Sequence, residues 1–322
     1  MKILLTGGTG FFGKSILRYL HSSPEWRSSI EEVTVLSRNP GAFLLDHPEF
    51  SGFSWLTFHQ GDILQPETLP RDGAFTHVLH CAADSTQGTK LQTTARFDQI
   101  VDGTRYLLDF SVAQGVQKFL LASSGGVYGP QPLNTAQIEE DFLGMPDPLI
   151  SGNAYGVGKR VAEHLCALYQ EAHGLDCVIA RCFAFVGPDL PLGVHFAIGN
   201  FIRDALKASP IAIEGDGTPL RSYLYQTDLA EWMLQILVSG TPGEAYNVGS
   251  DIAISIRDLA LLIRDLVDPK LEVEVRETSN SLPRQRYVPS IEKIRHDLGL
   301  DVTVPLSEAI LLTVDGIRKA GL

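Results

Sequence analysis

The first two-thirds of the chain alternate between short apolar runs and longer amphipathic stretches. The runs are continuously apolar, which is typical of parallel strands that are covered on both faces. They lie at Ile3–Thr6, Val33–Ser37, Trp55–His59, His77–Cys81, Phe119–Ser123, Cys177–Cys182 and Ala245–Val248. Stretches with helical spacing separate them, among them Gly13–Leu20, Phe97–Gln114 and Tyr155–His173. The alternation predicts an α/β fold with a doubly wound parallel sheet, the Rossmann arrangement.

The sequence changes character after Cys182. Gly and Pro recur throughout Gly187–Pro219, and these residues are typical of turns and loops. Farther on, Ile254–Val267 and Ile291–Leu298 have the spacing of short amphipathic helices. These pieces predict a smaller lobe that covers the C-terminal edge of the sheet.

Two domains are therefore expected to interleave along the chain. The run at Ala245–Val248 is predicted to return to the main sheet, so the Rossmann domain would comprise residues 1–182 together with about 225–250. The smaller, substrate-binding lobe would comprise residues 183–224 and 251–322.

The charge balance argues against a polyanionic partner. The chain of 322 residues has 26 Lys and Arg against 38 Asp and Glu, which gives a net charge of −12. Its surface therefore repels nucleic acid on average, and no cluster of basic residues reverses this locally. A small anionic ligand is compatible with this charge, because a few placed arginines and helix N-termini can hold a phosphate.

Neither a membrane segment nor a metal site is predicted. No apolar run reaches the roughly 20 residues that span a bilayer. The chain opens directly on a strand pattern, so we expect a cytoplasmic protein without a leader. The four cysteines form no CxxC pair and lie in apolar surroundings, which favours buried thiols over disulfides or metal ligands. They are Cys81, Cys166, Cys177 and Cys182.

A glycine-rich turn opens the chain. Gly7, Gly10 and Gly13 form a G-x-x-G-x-x-G motif directly after the first strand and lead into a helix. Gly7 lets the backbone turn sharply, Gly10 lets a pyrophosphate approach the main chain, and Gly13 lets the helix lie close on the strand. Together with Phe11 and Phe12, these glycines are predicted to bind a dinucleotide whose phosphates face the helix N-terminus.

Residues after the second, third and fourth strands are candidates for the rest of the cofactor site. The second strand ends in Ser37-Arg38 rather than in the acidic residue usual for NAD, and Arg38 could pair with the 2′-phosphate of NADP. NADP is therefore favoured, with NAD as the alternative. The other candidates are Asp62 as an acceptor for the adenine amine, its neighbour Ile63, and the small residues Cys81, Ala82 and Ala83, across which the cofactor could lie flat.

Tyr155 and Lys159 form the candidate catalytic pair. They are four residues apart in a helical stretch, so both side chains share a face. A phenol loses its proton at about pH 10 and a neighbouring ammonium lowers that pKa, so we expect Tyr155 to act as an acid or base near neutrality. Ser124, at the end of the fifth strand, could hydrogen-bond the reacting oxygen, and Ser123 is the rival for that role.

Seven segments resemble those of one family, in sequence and in order along the chain. They are TGGTGFFG, HCAAD, LLASSGGVYG, YGVGK, IARCFAFVGP, GDGTPLRSYLYQTDLA and YNVGS. From Met1 to about Asp301 the chain resembles the extended short-chain dehydrogenases/reductases, the family of nucleotide-sugar epimerases, dehydratases and 4-ketoreductases. The resemblance implies an NAD or NADP cofactor, a nucleotide-diphosphate-sugar substrate and a homodimer formed through a four-helix bundle.

The resemblance also implies roles for individual residues. Ser124, Tyr155 and Lys159 take the family's catalytic positions, and Ser124 is preferred to Ser123 on this ground. Residues in positions that line the nicotinamide and sugar pockets are Phe183 and Val186, with Gly125 beside the substrate. Residues in positions that contact the substrate diphosphate are Asn200, Arg221 and Arg286, and guanidinium groups suit phosphates.

One departure from the family bears on the reaction. Sugar 4,6-dehydratases place an Asp-Glu pair just after the catalytic hydroxyl, whereas this chain has Gly125 and Gly126. Dehydration then lacks an evident proton donor and acceptor. The leading hypothesis is an NADPH-dependent reductase of a nucleotide-linked 4-keto-6-deoxyhexose, in which Tyr155 protonates the new alkoxide at C4. A 4-epimerase with tightly bound NAD is the alternative, and a non-catalytic NAD(P)-binding protein ranks below both.

Overall fold

The structure, a computed structural model, describes residues 1–83, 92–276 and 285–321. The strands in these ranges are β1 (Lys2–Thr6), β2 (Glu32–Ser37), β3 (Leu56–Gln60), β4 (His77–His80), β5 (Lys118–Ser124), β6 (Asp176–Cys182), β7 (Phe185–Val186), β8 (Ile211–Glu214), β9 (Leu220–Arg221), β10 (Leu224–Tyr225), β11 (Ala245–Val248), β12 (Ile254–Ser255), β13 (Val273–Arg276) and β14 (Arg286–Tyr287). The α-helices are α1 (Phe11–Ser22), α2 (Pro24–Ser29), α3 (Pro40–Asp46), α4 (Thr93–Gln114), α5 (Ala154–His173), α6 (Ala197–Leu206), α7 (Gln226–Ser239), α8 (Ile256–Val267), α9 (Glu292–Leu298) and α10 (Leu306–Lys319).

Seven of the strands form one sheet. Its order is β11-β6-β5-β4-β1-β2-β3, and every neighbouring pair runs parallel. The chain builds outward from β1 through β2 and β3, then returns to place β4 on the other side of β1 and builds outward again. The strand order therefore reverses between β1 and β4, which is where ligands bind in such sheets. The predicted α/β fold with a doubly wound Rossmann sheet is confirmed.

Helices cover both faces of the sheet, as its apolar strands require. Successive side chains of a strand point to opposite faces, so Leu5 of β1 lies in one core and Leu4 in the other. α1 packs on α7 over the first face, and α4 packs on α5 over the second. Each fully buried Leu or Ile contributes about 1.5–3 kcal/mol relative to exposure. The packed sheet thus supports the loops at the strand ends, where the candidate residues lie.

A third core lies in the part of the chain predicted to form the smaller lobe. Buried residues of α6, α8 and α10 meet there, among them Phe201, Leu259 and Ile310. Three short sheets, β12-β9-β14, β13-β8 and β10-β7, join the connecting segments. The sequence analysis does not predict α6, α7 or α10.

Interleaving of the chain between the two parts is visible in β11. This strand returns to the main sheet and pairs with β6, with Ala245 opposite Ile179. α9 departs from the predicted division, because Ile291 and Ile294 lie in a core beneath the main sheet rather than in that of the smaller lobe. The domain boundaries stay a prediction.

The described helices include none that is both long enough and apolar enough to cross a bilayer. In the same part of the chain, no group of three or more His, Cys, Asp or Glu side chains could hold a metal ion. All four cysteines are free thiols; Cys166, Cys177 and Cys182 are buried and Cys81 is half-buried.

Candidate active site

The turn after β1 requires glycine at two positions for the protein's own packing. Gly7 has φ +73°, in the left-handed region, and a Cβ there would lie 2.7 Å from the carbonyl carbon of Cys81. A Cβ on Gly13 would lie 2.2 Å from the Cα of Gly8. The turn can therefore approach β4, and α1 can approach the turn, only without side chains at these two positions.

Gly10 differs from Gly7 and Gly13, because no protein atom lies in the space that a side chain on it would occupy. The nearest atom to a Cβ on Gly10 would be the Gly7 carbonyl oxygen, at 3.4 Å. Gly10 is also the N-cap of α1, where no side chain caps the helix and no acidic residue stands in the first turn. The N–H groups of this turn are open to an anion, which the helix dipole favours. The residues present therefore fit the pyrophosphate of a dinucleotide, in a cradle that a side chain on Gly10 would fill.

The rings of Phe11 and Phe12 take part in packing within the protein. Their centroids lie 6.4 and 5.1 Å from that of Phe185. Phe11 also packs against the third core, so it links α1 to the smaller lobe. A cofactor contact by these two residues would therefore come from their main-chain N–H groups.

The residues predicted to hold the adenosine half follow β2 and β3, beside the glycine turn. Ser37 is half-buried and accepts a hydrogen bond from a main-chain N–H two residues on, whereas Arg38 is exposed. Asp62 is half-buried, and its carboxylate likewise accepts a main-chain N–H two residues on. Ile63 is buried in the core against α4, which leaves its main chain for a ligand. Their cofactor contacts stay predictions.

A neutral histidine joins the strand ends at the switch point. The Thr6 hydroxyl lies 2.7 Å from His80 Nδ1, and Nε2 of the same ring lies 3.2 Å from the Thr104 hydroxyl of α4. Burial lowers the pKa of His80 to about 3, so the imidazole carries no charge at neutral pH. This bridge holds β1, β4 and α4 together beneath the three half-buried small residues that follow β4, namely Cys81, Ala82 and Ala83.

The two serines at the end of β5 have different partners. The Ser123 hydroxyl donates to Glu163 Oε1 at 2.5 Å, and Arg181 binds the same carboxylate. Ser124 Oγ instead accepts a main-chain N–H at 3.0 Å and lies close enough to Tyr155 to lower the pKa of its phenol. The structure thus brings Ser124, and not Ser123, to the candidate tyrosine.

Tyr155 lies in the first turn of α5, next to Ser124. A Cβ on Gly126 would lie 3.3 Å from Ser124 Oγ and 4.0 Å from Tyr155 Cδ1, so glycine there leaves both side chains room. Burial raises the pKa of Tyr155 to about 12, although Ser124 and Arg96 oppose the shift. The phenol is therefore protonated at neutral pH and can donate a proton.

Lys159 is buried one turn beyond Tyr155. Its Nζ donates to the Ala122 carbonyl of β5 at 2.6 Å, and burial lowers its pKa to about 8. The lowered pKa expected for Tyr155 is not found in the protein without ligands, because burial of the phenol outweighs the opposing effects of Ser124 and Arg96. The catalytic role of Lys159 stays a prediction, and its hydrogen bond ties α5 to the end of β5.

The sheet β12-β9-β14 brings part of the smaller lobe to the same place. Arg221 of β9 and Tyr287 of β14 are register partners in parallel strands, so their side chains lie on one face. The Tyr287 hydroxyl lies 3.5 Å from Ser124 Oγ. Arg221 is half-buried, and its positive charge lowers the pKa of Tyr287. This cation therefore lies near the catalytic candidates.

Arg286 and Asn200 have partners elsewhere in the protein. Arg286 precedes Tyr287 in β14, so it points to the opposite face, and it donates to the Ala136 carbonyl at 2.9 Å. Asn200 of α6 donates to the Val194 carbonyl at 2.8 Å. These contacts do not bring either residue to Ser124 or Tyr155, and the diphosphate roles of both stay predictions.

The side chains of Phe183 and Tyr287 lie directly against Gly125. A Cβ on Gly125 would lie 2.7 Å from Phe183 Cζ and 2.8 Å from Tyr287 Oη. Phe183 and Gly125 therefore lie together beside Ser124. Val186 is fully buried in the third core, so its side chain does not reach a crevice and its cofactor contact stays a prediction.

Comparison with protein families agrees with this geometry. Residues 3–249 match the NAD dependent epimerase/dehydratase family. The chain belongs to this family. The matched span contains the glycine turn, Ser124, Tyr155, Lys159 and Arg221. The resemblance stated from the sequence is therefore confirmed.

Individual members of the epimerase/dehydratase family cover nearly the whole chain. UDP-glucuronic acid decarboxylase 6 of Arabidopsis thaliana is 30% identical over 325 residues, which span 99% of this chain and 89% of the relative. UDP-glucose 4-epimerase of Thermus thermophilus, solved with NAD, is 26% identical with a TM-score of 0.83 over 99% of both chains. DesIV, a dTDP-glucose 4,6-dehydratase of Streptomyces venezuelae solved with NAD and TYD, is 25% identical with a TM-score of 0.85 over 99% of this chain and 97% of its own.

The family is NAD-dependent, and both solved relatives hold NAD. The sequence analysis favours NADP, and no contact of Arg38 supports that choice: the residue is exposed, and its carbonyl accepts a hydrogen bond from Gln60 at 3.4 Å. NAD is therefore the cofactor that the family supports, and the preference for NADP stays a prediction.

The sequence analysis missed three residues around the site of this family member. Tyr287 comes from β14, and its approach depends on the pairing of short strands that no local pattern shows. Glu163 follows Lys159 by the same four-residue spacing that separates Lys159 from Tyr155, and this repeated spacing is a signal that could have found it. Gly8 lies directly against Gly13 of α1, and the Gly7-Gly8 pair in the sequence is a signal that could have found it.

Proposed function

We propose that this enzyme of the epimerase/dehydratase family transfers hydride at C4 of a nucleotide-diphosphate sugar without eliminating water. The observation that carries the proposal is the convergence of Ser124, Tyr155 and buried Lys159 at the end of β5, with glycine at positions 125 and 126. Within this class we propose reduction of a 4-keto-6-deoxyhexose.

The names of the relatives support the substrate class. All three are named for a nucleotide sugar, with either UDP or dTDP as the nucleotide. The half-buried Arg221 is the residue best placed to bind the diphosphate, because its side chain shares a face with Tyr287, which reaches Ser124. A guanidinium is suited to such a group through paired, charge-assisted hydrogen bonds.

The protonated phenol of Tyr155 can supply the proton that a reduction needs. The bound nicotinamide cofactor supplies the hydride in this chemistry. Because the pKa of Tyr155 is raised to about 12, its phenol can give a proton to the oxygen on C4 as negative charge develops there. The Ser124 hydroxyl, which lies next to the phenol beside Gly126, can stabilise the same oxygen. Oxidation would instead need a phenolate at the start.

The residues next to Ser124 argue against elimination of water. Elimination needs an acid and a base near the sugar, and positions 125 and 126 have no side chains to supply them. Phe183 and Tyr287 occupy the space that a side chain on residue 125 would enter. These residues therefore support hydride transfer at C4 better than they support elimination of water.

A 4-epimerase with tightly bound NAD is the second candidate. The specific support is the similarity to the NAD-containing 4-epimerase of Thermus thermophilus, together with the NAD dependence of the family. Epimerisation would use the same tyrosine, first as base and then as acid, after the sugar turns over in the site. The two candidates therefore differ in how they use the cofactor rather than in which residues act.

Cofactor consumption tests the proposal. The purified enzyme is supplied with a panel of 4-keto nucleotide sugars and with NADPH or NADH, and the loss of nicotinamide absorbance is followed. We expect one reduced cofactor to be consumed for each sugar converted, since the hydride ends on the product. Protein that retains NAD through purification and interconverts nucleotide sugars without added cofactor would contradict the reductase and support the epimerase.

Three further expectations accompany this proposal. NADPH is expected to outperform NADH through Arg38, which the same assay measures. A homodimer is expected to form through α4 and α5, which pack on each other and carry the half-exposed apolar residues Val112 and Leu168. The location is expected to be cytoplasmic.

A further inference from the structure

Tyr287 places a second phenol beside the proposed catalytic hydroxyl. Its Oη lies 3.5 Å from Ser124 Oγ, and its ring packs on that of Phe183 with centroids 4.7 Å apart. The residue arrives from the smaller lobe, 163 positions along the chain from Ser124. Residue 125 is glycine at the contact, and a Cβ there would lie 2.8 Å from Tyr287 Oη.

The hydrogen bonds of this phenol within the protein are long. Its hydroxyl donates to the Cys182 carbonyl at 3.4 Å, and the separation from Ser124 is 3.5 Å. Hydrogen bonds between hydroxyl groups and oxygen acceptors are usually about 2.7–2.8 Å. Burial raises the pKa of Tyr287, so the group is a protonated donor at neutral pH. A polar atom of a ligand would therefore be a better partner than either neighbour in the protein.

We propose that Tyr287 positions the sugar by donating a hydrogen bond to the hydroxyl on C3, next to the carbon that receives the hydride. This inference rests on the proposed function, in which Ser124 binds the oxygen on C4. In a 4-keto-6-deoxyhexose, C3 is the only neighbour of C4 that carries a hydroxyl, since C5 carries the ring oxygen and a methyl group. Two donors 3.5 Å apart are suited to two oxygens on adjacent carbons.

The position of Tyr287 depends on the absence of a side chain at residue 125. Because Tyr287 and Phe183 fill the space over Gly125, a side chain on residue 125 and a phenol at this place exclude each other. Gly125 is therefore the residue that admits Tyr287 to the sugar. Gly125→Ala is accordingly expected to mimic the loss of the Tyr287 hydroxyl.

The test compares Tyr287→Phe with the wild type on two nucleotide sugars that differ only in the oxygen on C3. With the C3 hydroxyl present, kcat/KM of the variant is expected to fall about tenfold, the effect of one lost hydrogen bond of about 1.4 kcal/mol. With the 3-deoxy sugar, variant and wild type are expected to agree within about twofold. Gly125→Ala is expected to show the same dependence on the C3 oxygen.

Tyr169→Phe is the matched control, because it removes a phenol oxygen from the surface of α5, where the hydroxyl donates to Asp109. It should resemble the wild type on both sugars. An equal loss on both sugars, or no loss on either, for Tyr287→Phe would overturn this inference and leave the proposed function intact. A wild type that reduces neither sugar would overturn the proposed function, and this inference with it.

Discussion

A Tyr155→Phe variant is expected to lose about 10²- to 10⁴-fold in kcat, while its affinity for NAD changes by no more than about twofold. The substitution removes only the hydroxyl that gives a proton to the oxygen on C4, and general acid catalysis contributes within this range. The ring remains to pack against the core that contains Leu4, so the fold is expected to persist. Steady-state turnover measures the first effect and calorimetric titration with NAD measures the second.

Tyr169→Phe again serves as the control for this variant, since it makes the same chemical change in the same helix, away from Ser124. We expect wild-type turnover from it. A Tyr155→Phe enzyme that keeps more than about a tenth of wild-type kcat would contradict the assignment of the proton donor. Loss of NAD affinity in parallel with kcat would instead place the tyrosine in cofactor binding.

Alanine at Gly10 and at Gly13 is expected to separate cofactor binding from fold stability. On Gly10 the new methyl group meets no protein atom closer than 3.4 Å, and φ is −87°, which alanine adopts without strain. The free energy of unfolding should therefore change by less than about 1 kcal/mol. Because the methyl group fills the cradle, affinity for NAD should fall about 10- to 100-fold, which corresponds to about 1.4–2.8 kcal/mol.

Gly13→Ala should act on the fold itself. Its Cβ would lie 2.2 Å from the Cα of Gly8, so backbone atoms have to move, and we expect a loss of about 3 kcal/mol or more in unfolding free energy. Urea denaturation without cofactor measures this loss. Gly52→Ala, whose Cβ meets nothing within 4 Å, should change neither quantity. Unaltered NAD affinity in Gly10→Ala would show that the pyrophosphate does not bind this turn.

The main sheet could be predicted from the sequence because its signal is local. Buried parallel strands need apolar side chains on both faces, so each one stands out as a continuous run, and all seven runs correspond to strands. α7 escaped prediction because it is buried around much of its circumference and lacks a clear polar face. α6 escaped because Gly199 lies inside it and proline-rich loops precede it.

The residues of the candidate site also differ in whether a local sequence pattern reveals them. Gly7, Gly10, Tyr155 and Lys159 are visible because short, fixed spacings within one turn or one helix turn define them. Tyr287 depends on strand pairing in the smaller lobe, which no local spacing encodes. The pKa of Tyr155 could not be predicted either, because the burial that raises it is a property of the assembled fold.

The central claim is that this site moves a hydride between a nicotinamide cofactor and C4 of a nucleotide sugar. The most direct measurement supplies the enzyme with a 4-keto nucleotide sugar and with reduced cofactor that carries deuterium at both positions on C4 of its nicotinamide ring, and locates the label in the product by NMR and mass spectrometry. The account predicts one deuterium, bonded to C4 of the sugar. A converted sugar that carries no deuterium, or carries it on another carbon, would contradict the account.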